Sequence, residues 1–472
     1  MPETKVKKTE DFNEWYNEIV ELAGLCDKRY PIKGMNVWMP YGWKLMRHVD
    51  DLIREEMIRT GHEEVCFPLL IPESLFKKEE EHIKGFSSEV YWVTHAGSNK
   101  LEERWLLRPT SETAMYPIFA LWVRSHTDLP LKVFQIVNTF RYETKQTRAF
   151  IRVREIHFFE AHTCHVDFED AERQIVEDKE IAGVLMKKLS LPCIFNKRPN
   201  WDKFAGACYT ISIDVLMPSG RTLQVGSIHQ YKQNFSKPYN ISYETMDGKH
   251  EFCYQTTYGM SERLLGAIIG VHGDDKGLVL PPEVAPVQVI IIPIIFKGKE
   301  EEINKACETL CNRLRIRGIR AEVDQRECTP GNKFYDWELK GVPLRVEIGP
   351  RDVDKGECVI VRRDTGERRS VQQRSVEETI ELELKSISDC LYNNAKKLLD
   401  DGIHHVTRIE DAVDLKGIVE VPWCRDEACA LEVEKFLDCN TLGEPVDEKG
   451  CDASCPICGR PADTYMRYAK MY

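Results

Sequence analysis

The 472-residue chain has no long apolar run. Its longest, "VQVIIIPIIF" (287–296), falls short of the roughly 20 residues a membrane-spanning helix needs and carries a proline. It reads as a buried strand. The N-terminal stretch "MPETKVKKTEDFNEW" lacks the apolar core of an export signal. Positive charge is not in excess: 65 Lys+Arg face 77 Asp+Glu, and the net charge of -12 excludes a general nucleic-acid coat while leaving room for a local basic site. Low-complexity tracts and internal repeats are absent as well. Cysteine, by contrast, is plentiful. Seventeen cysteines without an export signal indicate a reducing compartment, where free thiols and metal sites outnumber disulfides. A cytoplasmic, non-membrane protein is expected.

The length suits two to four domains. Residues 10–30 carry a helical pattern (Phe12, Trp15, Tyr16, Ile19, Val20, Leu22), closed by Pro31. From about 34 to 280, helices alternate with short strands. "VLPPEVAP" (279–286) reads as a linker, since three prolines in eight residues suit neither a helix nor a central strand. A β/α series follows, implying a mainly parallel or mixed sheet. A charged helix at about 375–400 then leads to a cysteine-rich tail.

Two constellations carry chemistry. "CRDEAC" (424–429) and "CPIC" (455–458) offer Cys424, Cys429, Cys455 and Cys458 as four thiolates for a closed, structural zinc site. Cys439 and Cys451 lie between the pairs as competing candidates; the plainer alternative is a set of scattered reduced thiols. The second is "FRYETKQTRAFIRVREIHFF" (140–159), in which Arg141, Lys145, Arg148, Arg152 and Arg154 crowd a stretch of β-branched and aromatic residues. Read as two strands joined by "TKQTR", it puts Arg152, Arg154, Ile156, Phe158 and Glu160 on one face, and pairing across the turn can set Arg141 on that same face. Converging guanidiniums, with Lys145 and Arg148 in the loop, make a floor for a polyanion such as a nucleoside triphosphate. A solvated hairpin with surface ion pairs is the alternative.

"FRYE" with Arg152 behind it resembles motif 2 of class II aminoacyl-tRNA synthetases. "GHEEVCFPLLIP" (61–72) resembles motif 1, and "YGMSERLLGAIIGVHGDDKGLVLPP" (258–282) motif 3 with Arg263. "RPTSE" (108–112), "FFEAHT" (158–163), "GRTLQVGSIHQYKQNF" (220–235) and "GNKFYDWELKGVPLRVEIGPRD" (331–352) are similar to the archaeal and eukaryotic type of prolyl-tRNA synthetase. The chain departs from that family at Phe158, where Trp is usual, at "SIH" (227–229) in place of "TSH", and in a motif 3 whose glycines are reduced to Gly259.

The resemblance implies an α/β protein with an α+β catalytic domain: a class II antiparallel sheet with helices over 1–282, including an N-terminal helical extension. An anticodon-binding β/α domain over 283–402 and a small zinc-binding domain over 403–472 would follow. It implies that ATP with Mg2+ activates L-proline to the adenylate and that the prolyl group passes to tRNA(Pro). That chemistry needs positioned cations rather than a protein nucleophile. By resemblance, Arg141, Arg152 and Arg263 are the catalytic set, and Glu143, Gln224, Ser227 and Ser261 complete the ATP contacts. Thr110, Glu112, Arg141, Phe158, His162 and His229 would bind proline. Lys333, Glu338 and Lys340 would meet the anticodon, with Trp337 read as a buried helix face. Motif 1 implies a homodimer, and Tyr472 would reach toward the catalytic site. Only about sixty residues separate Glu160 from Gln224, too few for an editing insertion, so activation of alanine or cysteine is expected. A threonyl enzyme, a non-catalytic paralogue and a zinc-based nucleic-acid module fit less well. The cysteine set lies far from motif 2, the three arginines are present, and a zinc module would leave the first 280 residues without a use.

Overall fold

The computed structural model describes residues 4–77, 89–296, 298–447 and 450–472. Helix α1 (Phe12–Leu22) starts at Asp11, whose carboxylate accepts from the amides of Asn13 and Glu14. It buries Phe12, Trp15, Tyr16, Ile19 and Val20 on one stripe. It is shorter than the 10–30 pattern suggests, because Ala23 caps it and Gly24 turns the chain at φ 68°. Helix α2 (Pro40–Arg59) begins with proline at its first position, where no amide hydrogen is missed. Among the described residues, no helix is long and apolar enough to cross a membrane.

The principal sheet has eleven strands. In chain order they are β1 (Glu63–Glu64), β2 (Leu131–Phe140), β3 (Glu155–His165), β4 (Ile194–Lys197), β5 (Tyr209–Leu216), β6 (Thr222–Lys232) and β7 (Tyr254–Ser261), with four more from the tail. Neighbours β4-β5-β6-β7-β3-β2 are antiparallel, and β1 adds a parallel edge. Helices α4 (Phe168–Lys188) and α5 (Arg263–His272), with α1 and α2, cover one face; Phe159, Ala161, Ile211, Ile213, Tyr258 and Met260 point into that core. Strand alternation sends Phe158 and Glu160 to the other face, beside helix α3 (Glu112–Trp122).

The arginine hairpin departs from the sequence expectation. Phe140 pairs with Glu155, so the connection runs from 141 to 154 and Arg152 sits in a loop, not on the second strand. Arg148 and Arg152 exchange backbone hydrogen bonds around Phe150, whose φ is 60°. Burial of Ala149, Phe150 and Ile151 in the main core overrides the period-two reading.

A second, five-stranded sheet has β8 (Val289–Pro293) paired in parallel with β9 (Ala321–Val323) and β10 (Leu344–Ile348). Strands β11 (Glu357–Arg362) and β12 (Arg368–Gln372) continue it in antiparallel fashion. Helices α6 (Glu300–Ile316), α7 (Pro330–Leu339) and α8 (Val376–Asp401) complete this β/α unit. The proline-rich segment before it is not a free tether: Leu280, Val284 and Ala285 are buried in the main core. The two units are further joined by the Arg363–Asp274 ion pair, at 2.6 and 2.8 Å, and by the Tyr41 hydroxyl on the Lys340 carbonyl at 3.0 Å.

The tail strands β13 (Ile403–His405), β14 (Ile418–Trp423), β15 (Asn440–Pro445) and β16 (Thr464–Ala469) extend the principal sheet, with α9 (Glu427–Leu437) packed beside them. Glu444 and Pro445 of β15 pair with Lys197 and Asn196 of β4. Gly443 permits this junction. Its φ is 130°, and a Cβ there would lie 2.4 Å from the Lys197 carbonyl oxygen. Gly443→Ala is therefore expected to lower stability by about 2 kcal/mol or more, read as a fall in the denaturation midpoint.

Candidate active site

On the sheet face opposite the helices lies a cavity of about 420 Å³. Glu160 and Phe158 rise from β3, Thr257, Gly259 and Ser261 from β7, and Gln224, Ser227 and His229 from β6. Val225 is skipped in the pairing of β6 with β5, and this bulge brings Gln224 to the cavity alongside Ser227 and His229. Gly259 makes space for the Phe158 ring, which would stand 3.0 Å from a Cβ at that position.

One end of the cavity is cationic. Arg141, Arg152 and Arg263 all line it. Arg263 donates through Nε to the Ile151 carbonyl (2.9 Å) and through Nη1 to the Gln224 carbonyl (3.1 Å). Arg141 donates through Nε to the Pro109 carbonyl at 3.1 Å. Arg152 lies 3.1 Å from the Glu143 carboxylate and donates to the Tyr472 carbonyl at 3.0 Å. For Arg263 and Arg141 the named carbonyls orient the guanidinium without cancelling its charge, while Arg152 is shared with Glu143, and the end as a whole is preorganised for an anion. Burial lowers Arg263 to about 10 against the opposing pull of Glu262, with Arg152 and Arg141 adding to the strain; the group still carries its charge at neutral pH.

The other end is anionic. Glu112, at the start of α3, is 2% exposed; it accepts from the Tyr231 hydroxyl at 2.8 Å and from Thr110. Glu160, 1% exposed, accepts from Ser111 and from the Gln135 amide at 3.0 Å, and meets His162 Nε2 at 3.1 Å. Burial alone would raise the Glu160 carboxyl, but His162, Ser111 and Gln135 outweigh it and hold the group below its ordinary value. Burial likewise opposes charge on His162, yet Glu160 prevails and raises the imidazole. His229 differs. Burial, helped by His162, lowers it to about 3, leaving a neutral ring between Thr210 and Ser227, each at 2.9 Å.

Most of the residues singled out in the sequence meet here: Thr110, Glu112, Arg141, Glu143, Arg152, Phe158, Gln224, Ser227, His229, Ser261 and Arg263 share the one cavity. His162 does not line it. Wholly buried beneath, its Nδ1 faces the Tyr116 and Thr257 hydroxyls and its Nε2 faces Glu160. Of the remaining hairpin cations, Arg154 lies over the Tyr142 ring and Arg148 donates to Asn13 at 2.7 Å, and neither lines the cavity; Lys145 is exposed outside it. Glu160, Phe204 and Glu262 were not singled out as site residues. Glu160 stands inside the quoted "FFEAHT", whereas Phe204 sits in an irregular loop with no sequence signal. In the second unit, Lys333 is buried and donates to the Asp324 carbonyl at 2.8 Å. Glu338 pairs with Lys276 at 3.1 Å, and the Lys340 ammonium lies over the rings of Trp337 and Tyr41. Trp337 is only part-buried, and its indole donates to Asp324.

The four tail cysteines converge. The Sγ atoms of Cys424, Cys429, Cys455 and Cys458 lie within 4.8 Å of one another, whereas Cys439 and Cys451 stay outside the group. Zinc–sulfur bonds of about 2.3 Å put tetrahedral sulfurs roughly 3.8 Å apart, so the set fits such an ion. Arg460 donates to Cys458 at 3.2 Å and lowers that thiol to about 6, favouring the ligating thiolate.

Three family models match the chain: tRNA synthetase class II core domain (G, H, P, S and T) over residues 91–272, anticodon binding domain over 288–383, and prolyl-tRNA synthetase, C-terminal, over 406–472. The Proline–tRNA ligase of Thermococcus kodakarensis is 55% identical, with 100% of each chain covered. That of Pyrococcus horikoshii is 56% identical over 98% of each. Among solved structures, Giardia lamblia prolyl-tRNA synthetase in complex with prolyl-adenylate superposes with a TM-score of 0.95 at 36% identity, covering 98% of both chains.

Glu262, 3% exposed, leaves Oε2 without a hydrogen-bond partner, and burial raises its carboxyl to about 7. The folded protein therefore holds a proton that the unfolded chain releases above 4.5, the group's ordinary value. Its contribution to stability falls as pH rises from that value to about 7 and is flat beyond. Glu262→Gln, which cannot ionise, is expected to be more stable than the parent at pH 8, with the gap closing toward pH 5. Denaturant titrations at the two pH values read it directly.

Proposed function

The chain belongs to the prolyl-tRNA synthetase family of class II aminoacyl-tRNA synthetases, and from that premise we propose how its residues join L-proline to tRNA(Pro). The observation that carries the reading is the charge division within one cavity: two buried carboxylates, Glu112 and Glu160, at one end and three guanidiniums at the other. An amino acid whose ammonium sits between the carboxylates presents its own carboxylate toward Arg141. Thr110, with Glu112, accepts the hydrogens of proline's secondary ammonium; Phe158 and the neutral His229 wall the ring. His162 acts beneath the pocket, keeping Glu160 ionised and fixed.

MgATP enters as substrate from the arginine side. Arg152, steadied by Glu143 and the Tyr472 carbonyl, and Arg263 hold the phosphates, with Gln224, Ser227 and Ser261 as polar contacts. A proline carboxylate oxygen attacks the α-phosphorus, the bond to the β-phosphate breaks, and pyrophosphate leaves. Arg141 stabilises charge on the α-phosphate oxygens as it develops. In the second step, a ribose hydroxyl at the tRNA 3' end attacks the prolyl carbonyl and AMP departs.

The remaining assignments belong to the same proposal. Residues 1–282 form the catalytic unit, 283–402 the anticodon-binding unit and 403–472 the metal-binding unit. The four cysteines hold zinc, which supplies a structural cross-link and no catalytic step. Homodimerisation is supported by an apolar groove around Phe67, Leu70, Leu75 and Trp122, with Leu121 58% exposed beside it. Lys340 and Glu338 are the anticodon contacts of α7; Lys333 would have to leave Asp324 to join them. A cytoplasmic location accords with the reduced thiols.

Proline-dependent exchange of pyrophosphate into ATP tests the function, and failure with proline overturns it. Arg141→Ala should reduce exchange by about 10²-fold or more without unfolding the protein, and Arg141→Lys should restore little, lacking the planar fork. Metal analysis should find about one zinc per chain, lost in Cys455→Ser. Alanine should be activated detectably, because a pocket separates side chains differing by a methylene by only about 1–3 kcal/mol. The segment between Glu160 and Gln224 holds α4, β4 and β5. Preformed alanyl-tRNA of the proline type should therefore decay at its spontaneous rate.

A further inference from the structure

Between β4 and β5 the chain runs as an irregular loop, 198–208, from which Arg198, Asp202, Lys203 and Phe204 line the cavity. Two of its aromatic residues, three positions apart, enter different cores. Phe204 packs into the cluster of Tyr116, Phe119, Tyr231 and Phe235, its ring 4.9 Å from that of His229 on the amino-acid side of the cavity. Trp201 packs instead into the tail core, its ring 6.1 Å from that of Trp423 at an interplanar angle of 79°. That core borders both halves of the cysteine set. Trp423 precedes Cys424, and Ile457, which packs against the same cluster, lies between Cys455 and Cys458. The loop's other ties gather at its two ends. Arg198 donates to the Leu442 carbonyl of β15 at 2.8 Å and pairs with Asp202. Toward β5, the Phe204 amide donates to Thr210 Oγ1 at 3.1 Å, the Cys208 amide to the Gln230 carbonyl at 2.7 Å, and Asn234 to the Gly206 carbonyl at 2.6 Å. Thr210 in turn bonds His229.

We propose that Trp201 is a positioning residue, through which the four-cysteine region holds Phe204 and His229 in register to form the wall of the amino-acid pocket. This rests on the proline-activation reading above and adds to it a dependence of the amino-acid side of the cavity on the four-cysteine region. The phosphate end of the cavity is held by Ile151, Pro109, Gln224, Glu143 and Tyr472, none of which belongs to this loop or to the Trp423 core. Loosening Trp201 should therefore be felt by proline and not by ATP.

The test is pyrophosphate exchange with each substrate varied in turn. Trp201→Ala should raise the KM for proline roughly three- to tenfold, the span an aromatic pair contact is worth, with kcat and the KM for ATP changed less than about twofold. Trp201→Phe, which keeps a ring against Trp423, should recover most of the loss. Trypsin should cut after Lys203 faster in Trp201→Ala than in the parent, a readout independent of activity. In a double-mutant cycle with Ile457→Ala, the effects on proline KM should be non-additive, as expected for one shared contact. An equal rise in both KM values, a general fall in kcat, no change in proline KM, or strict additivity would each overturn the proposal. If the parent enzyme fails to exchange with proline, it is the functional reading that fails, an outcome distinct from these.

Discussion

Backbone carbonyls aim two of the three guanidiniums that face this cavity. Arg263 is fixed by Ile151 and Gln224 and Arg141 by Pro109, all neutral acceptors. A carboxylate in any of those places would orient the side chain as well but would also consume its charge. Neutral acceptors keep the cation available, and the cost is a buried group whose proton affinity falls. The rest of the site follows from that choice. Strand β3 carries Glu160 on the same face, so the chain needs Ser111, Gln135 and His162 beneath it to stabilise an anion without letting it collapse onto the arginines.

The pattern of what could be read from the sequence has a physical logic. Strands β8 to β11 and helix α6 were legible because their apolar residues match the buried positions, on both faces in β8. The cysteine set was legible because two short-spaced pairs leave few other uses for four thiols. Arg141, Glu112 and His229 were found through their motifs, and they do share one cavity. The path of Arg152 was not legible: period-two alternation puts it on a strand, but burial of Phe150 and Ile151 folds that segment into a tight loop. His162 was misplaced for a related reason. Alternation gives the correct face, yet Tyr116 and Thr257 cover that position from neighbouring elements.

The proline-rich segment makes a similar point about domain boundaries. Three prolines in "VLPPEVAP" suggest a spacer, but a residue without an amide hydrogen is also suited to packing where no ladder bond is needed. Here the segment is buried, and a Cβ at Gly277 or Gly341 would stand within 3 Å of Leu339 or Leu278, so only glycine lets the two stretches lie this close. The second unit is thus fastened to the first, with the start of its helix α7 turned outward and the end turned in.

The joining of β15 to β4 bears on how the protein is made. While the chain grows from the ribosome, β4 emerges hundreds of residues before its partner, leaving an unpaired sheet edge during most of synthesis. Such an edge invites pairing with other nascent chains, and pairing this distant in sequence is slow to form. Lys197, exposed on that strand, and Asn196 beside it are poor templates for a stray apolar strand. The catalytic sheet is therefore completed late, and its half-built edge is kept quiet by polar residues until the tail arrives.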